Sequence, residues 1–108
     1  MQRSVEQAAK NEATFREANE RLEEKAAEFG FGEERTPYLC ECEDERCTDV
    51  MGLTRAEYEA VRAGPKTFVV VTGHQEADDA VLREEAGFTV IEKTGEEGKL
   101  VAERDPRA

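Results

Sequence analysis

The sequence predicts an α+β fold: a long N-terminal helix and a short capped helix on a small, mostly antiparallel sheet, with one loop tied down by a metal. Three observations carry this expectation. The stretch from Ser4 to Phe29 holds no Gly or Pro and is rich in Ala, Glu, Arg and Lys, residues that lose little on entering a helix. Thr54-Arg55-Ala56-Glu57 has the spacing of a capping box, the signature of a helix start. Thr67-Phe68-Val69-Val70-Val71 is β-branched and apolar on both faces, as a central strand is.

In chain order, the first helix is expected over residues 4–29. Phe15, Ala18, Leu22, Ala26 and Phe29 recur at spacings of three and four and give one narrow apolar stripe. Gly30 and Gly32 supply the stop. The stripe is expected to cover the chain's own sheet, with pairing to a second chain as the other use of so narrow a seam. The second helix begins at Thr54, where Leu53 is placed to staple onto Tyr58, and ends near Ala63 because Gly64 suits a C-terminal turn and Pro65 has no N–H to continue the ladder. Tyr58 and Val61 are its inward positions.

Thr72-Gly73-His74 closes the strand that follows. Ala77 to Ala86 reads as a short helix closed by Gly87. Phe88 to Lys93 and Lys99 to Glu103 read as two strands, and the glycines of Thr94-Gly95-Glu96-Glu97-Gly98 suit a hairpin loop between them. A frayed tail is expected over residues 105–108. At 108 residues, one domain is expected over residues 1–108, with its α+β core spanning 36–104.

Charged residues make up 38% of the chain, and 26 acidic against 15 basic side chains give a net charge of −11. Such a surface repels phosphate backbones and anionic headgroups, which argues against nucleic acid and membranes as partners. The longest apolar run, Phe68 to Val71, is far below the roughly 20 residues that span a bilayer, and Met-Gln-Arg-Ser-Val-Glu at the start has no apolar signal core. A cytoplasmic location is expected.

All three cysteines fall in Cys40-Glu41-Cys42-Glu43-Asp44-Glu45-Arg46-Cys47, and His74 is the one histidine. An odd cysteine count in a reducing setting argues against a disulfide framework. Structural zinc takes four N or S ligands, so Cys40, Cys42, Cys47 and His74 form a Cys3His set with nothing left over. Glu41, Glu43, Asp44 and Glu45 oppose thiolate formation in the metal-free chain, with only Arg46 favouring it, whereas a divalent cation ionises the thiols and is drawn to the same acids. Zn2+ is therefore the expected cofactor.

Two other uses of the cluster stand beside this one. A thiol redox sensor would work through oxidation of Cys40, Cys42 or Cys47. A zinc enzyme would need an open coordination position, with His74 free as a base and Glu41 or Glu43 nearby. No catalytic constellation is present elsewhere, and neither glycine-rich stretch has phosphate-loop spacing. The expected role is a non-enzymatic interaction or regulatory module, acting on a protein partner or on a second copy through the N-terminal helix.

Asn11-Glu12-Ala13-Thr14-Phe15-Arg16-Glu17-Ala18-Asn19-Glu20, Cys40-Glu41-Cys42 with Cys47, Leu53-Thr54-Arg55-Ala56-Glu57-Tyr58-Glu59-Ala60-Val61-Arg62 and Gly73-His74 together resemble a group of small bacterial proteins of unassigned function. The likeness runs over about residues 10–104. It implies a shared compact domain in which the cysteines and the histidine act as a unit, and it implies no activity or substrate.

Overall fold

A computed structural model describes residues 4–28 and 35–107. Helix α1 (Val5–Glu28) leads to strands β1 (Thr36–Leu39) and β2 (Val50–Leu53), helix α2 (Arg55–Val61), strands β3 (Thr67–Val70), β4 (Ala80–Glu85) and β5 (Phe88–Glu92), and helix α3 (Gly95–Glu103). The α+β class holds, with the strands divided between two antiparallel sheets, β1-β2 and β3-β5-β4. Tyr38, Leu53, Tyr58, Phe68, Val69 and Ile91 are fully buried in the core they share.

The capping box forms as expected: the Thr54 hydroxyl accepts from the Glu57 N–H, and the Glu57 carboxylate accepts from the Thr54 N–H. Tyr58 and Val61 point inward from α2. Tyr38 stacks on Tyr58 with ring centroids 4.4 Å apart, which joins β1 to α2. Strand β3 is buried along its whole length, yet it lies at the end of its sheet and not in the middle. Its outer edge is satisfied by the cysteine loop instead of a strand: the Val69 carbonyl accepts from the Glu41 N–H at 2.8 Å.

Three elements differ from the expectation. Residues 80–85 form strand β4 and not part of a helix, because they pair with β5 across a two-residue turn in which Glu85 faces Phe88. Gly87, at φ 92°, takes the left-handed position that such a turn demands. A run with fair helix propensity has yielded to a neighbour offering a ladder of hydrogen bonds, interrupted by a bulge between Val81 and Arg83.

Residues 99–103 belong to α3 and not to a strand. Glu96 and Glu97 lie in its first turn, where the helix dipole favours acids. Gly98 is there for space: a Cβ at that position would lie 2.7 Å from the Lys93 carbonyl oxygen. The glycine that suggests a hairpin loop in the sequence is instead a point where a helix crosses backbone closely. The third difference is the tail. Asp105 bonds the buried Arg62 guanidinium, and Arg107 pairs with Glu20 and Glu59 at 2.9 and 2.6 Å, so the chain end is strapped across α1 and α2.

The inward face of α1 is also not the predicted apolar stripe. Phe15, Ala18 and Leu22 are only partly buried, Phe29 lies outside the described residues, and of the stripe Ala26 alone is buried. The buried positions include Asn11, Glu12, Arg16, Asn19 and Glu23. Each of the first four has a defined partner. Arg16 donates to the Thr67 carbonyl at 2.9 Å and stacks over the Phe68 ring at 3.7 Å. Glu12 pairs with Lys93, which also holds Asp79 at 2.7 Å and Glu97 at 3.4 Å while only 2% exposed. Asn11 and Asn19 reach the cysteine loop.

Candidate metal centre

Two strands, one turn and two asparagines bring the cysteines together. Cys40 follows β1, and its N–H donates to the Asp49 carbonyl at 3.0 Å, one step beyond the Leu39–Val50 pair. On the far side of β1, Asn19 both donates to the Leu39 carbonyl at 2.9 Å and accepts from the Leu39 N–H at 2.8 Å, standing in for a neighbouring strand. Asn11 donates to the Glu43 carbonyl at 2.8 Å. Asp44 then reverses the chain: its carboxylate accepts from the Arg46 N–H at 2.9 Å and its carbonyl from the Cys47 N–H at 3.0 Å, a side-chain-stabilised turn of the kind Asp favours.

Glu41, between two of the cysteines, is fully buried and faces the core. Its carboxylate accepts from Asn19 at 2.9 Å, from the Tyr58 hydroxyl at 3.2 Å and from the Val69 N–H at 3.0 Å. Burial pushes this carboxyl up, while Asn19, the Val69 amide, Arg16 and Arg62 pull against it. One side chain thus ties the loop to α1, α2 and β3 together.

His74 arrives from a separate turn. Its N–H donates to the Val71 carbonyl at 2.9 Å, with Gly73 at φ 97° in the third position, where a type II turn requires positive φ. The ring then enters the cysteine loop. Nδ1 lies 3.5 Å from the Cys40 sulfur and 3.6 Å from the Cys47 sulfur. All four expected site residues converge, with one donor atom from each of Cys40, Cys42, Cys47 and His74 within 4.8 Å of the others. Cys40 and Cys42 are buried and Cys47 half-buried.

These spacings fit a tetrahedral ion. Zn–S bonds of about 2.3 Å and Zn–N bonds of about 2.0 to 2.1 Å at the tetrahedral angle set an S-to-N edge of about 3.5 to 3.6 Å. The Cys40 sulfur also accepts from the Val71 N–H at 3.2 Å, a donor that offsets thiolate charge. The donor set is compatible with metal binding.

The electrostatics differ from the expectation that nearby acids oppose thiolate formation throughout. The Cys42 thiol is held down to about 5, first by a hydrogen bond from Cys40 and then by the Asp44 backbone, Cys47 and His74, against the effect of burial. Cys40 is pushed up, first by its bond to Cys42 and then by burial. Glu41, the acid between the first two cysteines, faces the core.

An open cleft of about 240 Å³ lies against the cluster, lined by Cys42, Asp44, Gly73, His74, Gln75 and Glu76. A second group of carboxylates, from Glu12, Glu43 and Glu97, also lies within 4.8 Å. The Lys93 ammonium, paired with Glu12 and Glu97, already supplies positive charge there.

Sequence reasoning points to the four residues that cluster and misses those that hold them in place, Asn11, Asn19, Glu41 and Asp49. A signal for the first two does exist. Asn11, Glu12, Arg16, Asn19 and Glu23 run along one face of the helix, beside the apolar residues that draw attention.

Fold and site together define a small α+β protein with a clustered Cys3His set compatible with metal binding. Compared with known proteins, the chain matches no family model, no curated protein and no solved structure. Among the described residues no helix is long and apolar enough to cross a membrane.

Proposed function

We propose that the chain is a zinc-binding module in which Cys40, Cys42, Cys47 and His74 close a structural site, and that it acts by binding a protein partner and not by catalysis. The carrying observation is the pair of sulfur-to-Nδ1 distances, 3.5 and 3.6 Å, which equal the edge of a zinc tetrahedron. When bound, the ion would offset most of the thiolate charge and cross-link the cysteine loop to the turn after β3. The protein's own contribution is position: Asn19 and Glu41 set the loop, and the Val71–His74 turn sets the imidazole.

A closed four-ligand site supplies folding free energy, on the order of 10 kcal/mol for zinc sites of this kind. The net charge of −11 favours partners with basic surfaces and disfavours nucleic acid. The test is elemental analysis with thermal unfolding of the parent, Cys42→Ser and His74→Ala, each with and without a strong chelator. The expected result is about one zinc per chain, a parent that melts lower on chelation, and variants that start lower and respond less. A parent with under half an equivalent of metal and three freely titrating thiols overturns the reading. If His74→Ala keeps its zinc and the parent's stability, His74 is not a ligand, and the fourth position is open or filled by a carboxylate.

A further inference from the structure

We propose that Asp49 fixes His74 as an Nδ1 ligand, acting as a positioning residue outside the four donors; this rests on the zinc reading above. Three observations meet at this residue. The sulfurs of Cys40 and Cys47 approach the same nitrogen, Nδ1, at 3.5 and 3.6 Å. The other nitrogen, Nε2, lies 3.4 Å from the Asp49 carboxylate. The Asp49 carbonyl accepts the Cys40 N–H at 3.0 Å, so the residue that faces the ligand histidine is also tied by its backbone to a ligand cysteine.

A neutral imidazole binds a metal through one nitrogen and carries its proton on the other. Three thiolates on a divalent cation leave the cluster anionic, so a further carboxylate beside it is unfavourable unless a proton lies between them. Nε2–H supplies that proton. Its bond to Asp49 holds the ring in one tautomer and one orientation and makes Nδ1 a better donor, the relation by which carboxylates commonly support metal-bound histidines. The β1-β2 ladder sets the Asp49 backbone beside Cys40, since Asp49 sits one step before Val50, the residue opposite Leu39.

The experiment uses the full chain and compares the parent with Asp49→Ala, Asp49→Asn and Glu76→Gln. Glu76 lines the cleft beside His74 and serves as the control for loss of a nearby charge. Zinc affinity is read by competition with a coloured chelator. Asp49→Ala should weaken it by about 10-fold, the lower end for an outer-shell partner. Asp49→Asn should lose less, because its amide oxygen still accepts from Nε2–H, and Glu76→Gln should stay within about 2-fold.

His74 is the single histidine, so nitrogen NMR of the loaded protein reads one imidazole without ambiguity. The expected spectrum has the proton on Nε2 and, after loading with cadmium-113, coupling to Nδ1. Coupling to Nε2, parent-like affinity in Asp49→Ala, or equal losses in Asp49→Ala and Glu76→Gln overturn the assignment while leaving the zinc site standing. A parent that takes up neither zinc nor cadmium overturns both.

Discussion

Replacing Glu41 with Gln isolates the carboxylate that anchors the cysteine loop. One oxygen of Glu41 accepts from both Asn19 and Tyr58, and the other accepts from the Val69 N–H. The amide of Gln presents one acceptor and one donor, so its best orientation keeps the first pair and sets an NH2 against the Val69 N–H. Bonds to a charged group are each worth about 1.5 to 3 kcal/mol against about 0.5 to 1.5 for neutral ones, and a buried donor left unpaired costs about 1 to 3 kcal/mol. Two weakened bonds and one lost bond come to about 3 to 6 kcal/mol. Relief from burying a charge returns part of this, leaving a net loss of about 2 to 4 kcal/mol. At about 4 to 8 °C per kcal/mol the melting temperature should fall by roughly 8 to 32 °C. The assay is thermal and urea unfolding with zinc in excess, joined with Tyr58→Phe in a double-mutant cycle, where a coupling near 1 kcal/mol is expected. Stability of Glu41→Gln within about 0.5 kcal/mol of the parent, or no coupling to Tyr58, would refute the anchoring role.

Three further perturbations test the surrounding fold. Glu12 is pushed up to about 10, first by burial and then by its hydrogen bond to Glu97, against the pull of Lys93. The folded chain thus keeps a proton that the unfolded chain releases near pH 4.5, and stability should fall as pH rises above that value, by up to about 1.4 kcal/mol per unit. Glu12→Gln should flatten this slope between pH 6 and 9 in urea titrations, and parallel slopes would count against the shift. The Arg62 side chain is 0% and Asp105 7% exposed, against 34% for Arg107, so Asp105→Ala should cost about 2 kcal/mol or more and Arg107→Ala under about 1 kcal/mol; the reverse order would contradict the burial of the tail. Gly98→Ala sets a methyl against the Lys93 carbonyl, and net of its helix-propensity gain it should lower the urea midpoint by the equivalent of about 1 to 2 kcal/mol. A stabilised Gly98→Ala would mean that α3 and Lys93 are further apart than described.

What could be read from the sequence was what is local or fixed by chemical count. Thr54 and Glu57 complete their box within four residues, and three cysteines with one histidine are all the thiols and imidazoles of the chain. The failures share a different cause. Ala80–Glu85 could form either helix or strand, and only the presence of β5 decided it. Gly98 carries the same letter whether it ends a strand or makes room for a crossing, and the difference lies in the position of Lys93. Strands β1 and β2 are four residues each, too short to give a period, and are held by Asn19 and the tyrosine stack as much as by each other. Nothing local marks Glu12 and Arg16 as buried, because their partners, Lys93 and Thr67, lie far along the chain.

The polar lining of α1 gives that helix a single seat. Leucines facing leucines let a helix slide by one turn, about 5.4 Å, at modest cost, since one hydrocarbon surface is much like another. Asn11, Glu12, Arg16 and Asn19 instead have one address each: the Glu43 carbonyl, Lys93, the Thr67 carbonyl, and Leu39 with Glu41. A one-turn slip would strand all four at once in a dry interior, so out-of-register docking is excluded by the same contacts that hold the helix in place. Since two of those addresses lie beside Cys40 and Cys42, the helix works as a key whose seating sets where the sulfurs can be.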